Sequence, residues 1–315
     1  MPKLLRGARR QRYRVYRDRF FVSCIRGFRR GLGWIGLRRA APLAAVIGGL
    51  VPKFLARPST MAREQLAMAL PELSAASRDR IHRQMFRGLG QSMAEIILMD
   101  EIADDLHKWV DFEGLEILDD ALARGRGVIV ITGHIGNWEL LAGGLGLSGY
   151  PVTAIATPVK GEALNQENID LRRRVGVETV PRDGAGAAKA ILRTLRAGRI
   201  LGILMDQDTQ GQGVVVPFFG KPAYTPVGPA ALAWRTQAAV VGAFIHRGEE
   251  GRHRIRVREI VLPDRAAKET DDREAWQREA SAQFNRVIEQ EIRDRPDEWV
   301  WWHERWRRGT LAPES

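Results

Sequence analysis

Apolar and polar residues follow two different rhythms along this 315-residue chain. From residue 60 to 108 the rhythm is helical. Over Arg78–Leu98 the residues Ile81, Met85, Leu89 and Ile96 fall on roughly one face, and Pro71 breaks the pattern before it. Further along, short continuous apolar runs take over. Gly127–Thr132 (GVIVIT), Val152–Ala156, Glu178–Val180, Ile200–Met205 (ILGILM) and Ala239–Phe244 read as strands, and His253–Ile260 alternates like a strand with one wet face. Helices are predicted between them at Asn137–Leu147, Gly161–Arg174, Ala185–Ala197 and Pro229–Thr236. A last helix, Asp272–Asp294, stops before Pro296. The glycine- and proline-rich stretch Thr209–Gly228 reads as a long loop. Apolar strands separated by helices predict an α/β fold, a mainly parallel central sheet flanked by helices.

The first 58 residues follow neither rhythm. Their longest apolar run, Ala40–Pro52, falls short of the ~20 residues that a bilayer span needs. Pro42, Gly48, Gly49 and Pro52 weaken it further as one helix. Tyr13, Tyr16, Phe20, Phe21, Phe28 and Trp34 surround it, interleaved with arginines, which is the composition of an element lying in a membrane interface. No secretory signal is expected, because Arg26, Arg29 and Arg30 interrupt what would be its apolar region. The chain is therefore divided into a basic, helical, membrane-associated segment at 1–58 and a single α/β domain at 59–315; a soluble helix packed on that domain is the other reading of the segment.

Charge changes this picture in one respect. A net charge of +11 points toward nucleic acid, yet residues 1–40 hold 13 Lys/Arg against the single acid Asp18, and the rest holds 36 basic and 37 acidic residues. A neutral body with a basic block argues for anionic lipid and against base reading. Cys24 is the only cysteine, so an internal disulfide and a cysteine-rich metal site are excluded.

Two segments at strand ends carry candidate chemistry, where α/β sheets gather function. Gly133–Leu140 (GHIGNWEL) follows GVIVIT. Glycines on both sides of His134 allow a sharp turn, and Asn137 suits a helix N-cap. Five residues on a regular helix would set His134 and Glu139 about 140° apart. With His134 on the turn and Glu139 in the first helical turn, the imidazole can fold back onto the carboxylate as a base and its orienter, or else His134 is satisfied in the core and Glu139 serves the helix dipole. The helix N-terminus and backbone N–H groups near Gly136 would favour an oxyanion. Asp206-Gln207-Asp208 follows ILGILM. Two acids and an amide there are costly to bury unless engaged, whether by a metal, a substrate hydroxyl or the loop; no second ligand cluster supports the metal. Phe218, Phe219 and Tyr224 suit either an acyl groove or packing, and Arg172, Arg173 and Arg174 either a helix C-terminus or an anion. Four tryptophans within Glu298–Arg308 fit lipid contact or packing.

Taken in order, these segments resemble the bacterial lipid A biosynthesis (late, secondary) acyltransferase family, within the wider lysophospholipid acyltransferase superfamily. The resemblance rests on the basic, apolar N-terminus, Arg63–Leu73 with Pro71-Glu72, GHIGNWEL, the DQD with VPFFGKPAYTPVG, and EWVWWHERW. It implies acyl transfer from an acyl carrier protein or CoA thioester to a hydroxyl of a membrane glycolipid. That hydroxyl is expected to be the 3-hydroxyl of an acyl chain on a glucosamine disaccharide. No metal or other cofactor is expected. It implies His134 as general base with Glu139 as partner, and Gly136, Asn137, Arg172, Arg174, Asp206, Gln207 and Asp208 around the substrate. The implied place is the cytoplasmic face of a bacterial inner membrane, held peripherally or by one N-terminal anchor. The short, interrupted apolar segment departs from the family on that last point. The rival acceptors are a lysophospholipid or another glycolipid, and the rival class is a non-catalytic basic binder of membrane or nucleic acid.

Overall fold

The computed structural model describes residues 22–24, 26–159, 161–264 and 272–309. Tyr13, Tyr16, Phe20 and Phe21 lie outside them. Helices α1 (Val22–Ile35), α2 (Leu37–Leu50), α3 (Ala56–Ala69), α4 (Ala75–Ile97) and α5 (Met99–Asp104) come first. Then follow β1 (Val110–Glu113), α6 (Leu115–Ala123), β2 (Val128–Thr132), α7 (Trp138–Leu147), β3 (Val152–Ala156), α8 (Glu162–Arg174) and β4 (Glu178–Pro181). The rest comprises α9 (Ala187–Arg196), β5 (Ile200–Leu204), β6 (Gly213–Phe218), β7 (Lys221–Pro226), α10 (Gly228–Thr236), β8 (Ala239–Arg247), β9 (His253–Glu259) and α11 (Arg273–Asp294).

Seven strands form one sheet in the order β1-β9-β8-β2-β5-β3-β4, and every neighbouring pair is parallel except β8 with β9. The GVIVIT run explains the layering. Ile129 and Ile131 point into a core with α4, α9, α10 and α11, while Val128 and Val130 point into a second core with α7. A strand covered on both faces needs no polar positions, hence the unbroken apolar pattern. Thus the fold is α/β, with a mainly parallel central sheet between helices.

Two departures from the sequence reading have local causes. β1 offers only Val110 and Phe112 between acids, too little apolar surface to be read as a strand, but it pairs on the sheet edge with β9. The stretch expected as loop folds as the antiparallel hairpin β6–β7, in register from Gly213↔Pro226 to Phe218↔Lys221. Its two-residue turn, Phe219-Gly220, has positive φ at both positions (51° and 67°), the mirror-image turn that suits strand twist. Phe218 and Phe219 are buried in the core beneath it, so they pack and do not line a groove.

α2 lies against α4 at backbone contact. A Cβ on Gly48 would stand 2.3 Å from the Phe86 carbonyl oxygen, and one on Gly90 would stand 2.2 Å from that of Ala44. α1 carries exposed Phe28 and Trp34 (95% exposed), α2 carries exposed Leu43, Val46 and Ile47, and Phe54 follows at 83%. Among the described residues no single helix is long and apolar enough to cross a membrane. α1 and the stretch Leu37–Lys53 form a pair bent by 118°.

The strand β8 ends in a buried ion cluster. His246 Nε2 meets Glu291 Oε2 at 2.6 Å and its Nδ1 meets Glu298 Oε2 at 3.3 Å. Burial alone would lower the imidazole, but the hydrogen bonds and charges of Glu291 and Glu298 prevail and raise it to about 9. With an unfolded value near 6.5, the folded state binds this proton more tightly. That stabilisation is complete below about pH 6.5 and is lost as pH rises through 9. Chemical denaturation should show stability falling by about 2–3 kcal/mol between pH 6.5 and 9.5, and His246→Gln should flatten that slope.

Candidate active site

β2 and β5 are neighbours in parallel register, Thr132 opposite Leu204. His134 and Asp206 each stand two residues beyond that pair, so their side chains leave adjacent strand ends at the same level, about 4.8 Å apart along the sheet. There His134 Nδ1 meets Asp206 Oδ1 at 2.8 Å. Asp206 Oδ2 accepts from the His134 backbone N–H at 2.8 Å and from Trp299 Nε1 at 2.7 Å. The carboxylate is fully buried. Burial would raise its pKa, but the facing imidazole and these donors overcome that and hold it well below the usual carboxylate range. A carboxylate can only accept, so the proton of this pair sits on Nδ1 and the lone pair on Nε2. Gln207 Nε2 is 3.2 Å from that second nitrogen.

The expected partner of His134 is thus corrected. Glu139 holds Arg172 in a two-pronged pair, Nε to Oε2 at 2.9 Å and Nη2 to Oε1 at 2.6 Å. No hydrogen bond between Glu139 and His134 occurs among the described residues. The chain leaves β2 through Gly136, whose φ of +57° is left-handed, and a Cβ there would meet the Ile245 carbonyl oxygen at 2.3 Å. This turn aims Glu139 across the cleft toward α8 while the imidazole points to β5. His134, Glu139 and Arg172 nevertheless line one cleft of about 450 Å³, floored by Ile155, Ile191, Ile203, Leu204 and Leu232 and edged by Gln207 and Asp208. An imidazole beside a cleft with an apolar floor, oriented by a buried carboxylate, is equipped to take a proton from a hydroxyl.

Residues 9–308 match the family described as bacterial lipid A biosynthesis acyltransferase. The chain belongs to this family. It is an acyltransferase, acting with an acyl donor and a lipid acceptor. Over 295 residues it is 26% identical to the lipid A biosynthesis palmitoleoyltransferase of Escherichia coli K12, covering 90% of this chain and 92% of that one. Similarity to the lauroyltransferase of the same organism is 24% over 88% and 89% of the two chains. The phosphatidylinositol mannoside acyltransferase of Mycobacterium tuberculosis H37Rv is 33% identical over 184 residues, 57% of this chain and 58% of that one.

The remaining candidates in this acyltransferase separate by position. Arg172 enters the cleft, but Arg174 faces Asp100 at 3.8 Å outside it. Two residues along a helix turn a side chain by ~200°. Asn137 is a buried cap: its Oδ1 accepts from Leu140 N–H and its Nδ2 donates to Glu95, so no ligand reaches it. The Gly136 N–H donates to the Glu298 carbonyl and that of His134 to Asp206, so neither serves an oxyanion. At the same turn the first-turn N–H groups of α7, at Trp138 and Glu139, have no intrahelical acceptors. The tryptophan-rich tail packs inside. Trp299 and Trp301 are fully buried, and Arg305, also fully buried, donates to the Tyr224 carbonyl and to Thr225 Oγ1 and covers the Phe218 ring.

His303, which sequence reasoning passed over, has its ring 5.3 Å from that of His134. Burial, with a smaller contribution from the neighbouring His134, pushes it down to about 4, so it stays neutral. Removing the indole donor by Trp299→Phe leaves the buried carboxylate one partner short. Stability should fall by about 1–3 kcal/mol in urea unfolding, with the m-value unchanged.

Proposed function

We propose that this acyltransferase moves a fatty acyl group from an acyl carrier protein or CoA thioester to a hydroxyl of a lipid A precursor. The observation that carries the reading is the His134–Asp206 pair at the edge of an apolar cleft. In this mechanism His134 Nε2 takes the proton of the acceptor hydroxyl, displacing Gln207. The oxygen forms its bond to the thioester carbonyl carbon, and Asp206 stabilises the imidazolium. The oxyanion faces the positive end of α7 at Trp138 and Glu139. As the C–S bond breaks, the imidazolium returns its proton to the thiolate. The acyl chain lies on Ile155, Ile191, Ile203 and Leu232, and Arg172, steadied by Glu139, meets an anionic group at the mouth. The scheme calls on no metal and no cofactor beyond the thioester.

A place on the cytoplasmic face of a bacterial inner membrane fits the same reading. Exposed Trp34, Val46, Ile47 and Phe54 next to Arg26, Arg29 and Arg30 suit a bent helix pair lying in the interface. The similarity to phosphatidylinositol mannoside acyltransferases, over part of the chain, favours a second acceptor, another glycolipid.

His134→Ala in purified protein should lower turnover by about 10³-fold or more, and Asp206→Asn by on the order of 10³-fold through loss of the tautomer, with folding unchanged by circular dichroism. Normal transfer by His134→Ala would sink the mechanism. Lipids from a deletion strain, read by mass, decide the acceptor: lipid A lighter by one acyl chain supports the first reading, and another glycolipid so lightened the second.

A further inference from the structure

Across Gln207 and Asp208 from the acyl cleft lies a second chamber of about 350 Å³, lined also by Arg57, Met61, Trp302, His303 and Arg307. Gln207 and Asp208 border both cavities. The two spaces therefore meet beside His134, where a two-substrate transfer needs them to meet.

Asp208 is the unusual member. Its side chain is 6% exposed, and neither carboxylate oxygen has a hydrogen-bond partner. Its charge is balanced at a distance, with Arg307 Nε at 3.5 Å and Arg308 Nε at 3.9 Å. A buried carboxylate without donors is costly, and the missing partners are O–H or N–H groups. Around it stand an amide (Gln207), an indole packed against Phe86 (Trp302) and a rim of Arg57 and Arg307, both paired with Glu304, which also lines the chamber. Planar polar side chains beside an aromatic face match a ring that presents hydroxyls on its edge and C–H groups on its face. Arg57, largely exposed, and Arg307 both pair with Glu304 and would meet a phosphate by exchanging that carboxylate for it. An acyl chain fits this chamber poorly, since Pro58, Met61 and Trp302 are its only apolar lining among the described residues.

We infer that this second chamber seats the phosphorylated sugar of the acceptor, with Asp208 and Gln207 accepting from and donating to its hydroxyls and Trp302 covering a ring face. The inference rests on the reading that the acceptor is a glycolipid. Donor and acceptor then approach His134 from opposite sides of Gln207, and a chain hydroxyl a few bonds from the sugar reaches the imidazole. Exposed Phe54 and Leu55 lie just before Arg57, so the chamber opens next to the lipid-like surface from which such an acceptor would come.

The test uses the full-length protein and a deacylated, phosphorylated glucosamine disaccharide, with binding followed by calorimetry. The wild type should bind it. Asp208→Asn should weaken binding tenfold or more, as should Trp302→Ala, and in transfer assays both should raise the acceptor KM without moving the thioester KM. Absence of binding, or binding untouched by Asp208→Asn, overturns the inference. So does an equal change in both KM values together with a lower Tm, which would make Asp208 a brace for the arginines of the tail. If the wild type binds the disaccharide but transfers no acyl group to any glycolipid, the functional reading fails while the sugar site stands.

Discussion

Everything at the site turns on one buried carboxylate. Asp206 has lost all contact with water and is satisfied instead by three donors, the imidazole and backbone N–H of His134 and the Trp299 indole. These donors belong to three different parts of the site, namely the imidazole, the turn that carries it, and the segment that closes over both. Deprive the group of its partners and a negative charge is left in an apolar interior, which proteins tolerate badly. The strand ends, the glycine turn and the tail are therefore mutually required. The backbone bridge between Ile135 and Trp299 ties the same pieces a second time.

The arrangement divides labour between two acids that look alike in the sequence. Asp206 is sealed and aligned with the ring, so it orients the imidazole. Glu139 stands at the open side and is occupied by Arg172, so it positions a cation. Environment, and not residue type, separates the two roles. Gln207 is the hinge of this division, since it touches the imidazole and borders both cavities.

Much of this was legible in the sequence, for physical reasons that can be named. Strands covered on both faces leave continuous apolar runs, and GVIVIT and ILGILM stand out for that reason. Helix ends followed from Asn137 and Pro296. Strand order was not legible, because pairing β2 with β5 across β3 and β4 is a tertiary choice. That one unknown produced the wrong partner for His134: Glu139 was near in sequence, whereas Asp206 was near in space. A signal did exist, in that His134 and Asp206 each stand just beyond the end of an apolar strand. The hairpin β6–β7 hid behind glycine and proline, and the tail hid because tryptophan and arginine serve a lipid surface and a packed core equally well.

The Trp299 indole lies 93 residues after the carboxylate that it serves. Closing a loop of that length costs chain entropy, which the docking of the intervening strands, hairpin and long helix must offset. A partly folded molecule can thus possess a finished β2–β5 core and an open cleft while its imidazole remains unaligned. Such a species would hold the cleft without the sealed His134–Asp206 pair, so that pair marks the completion of folding.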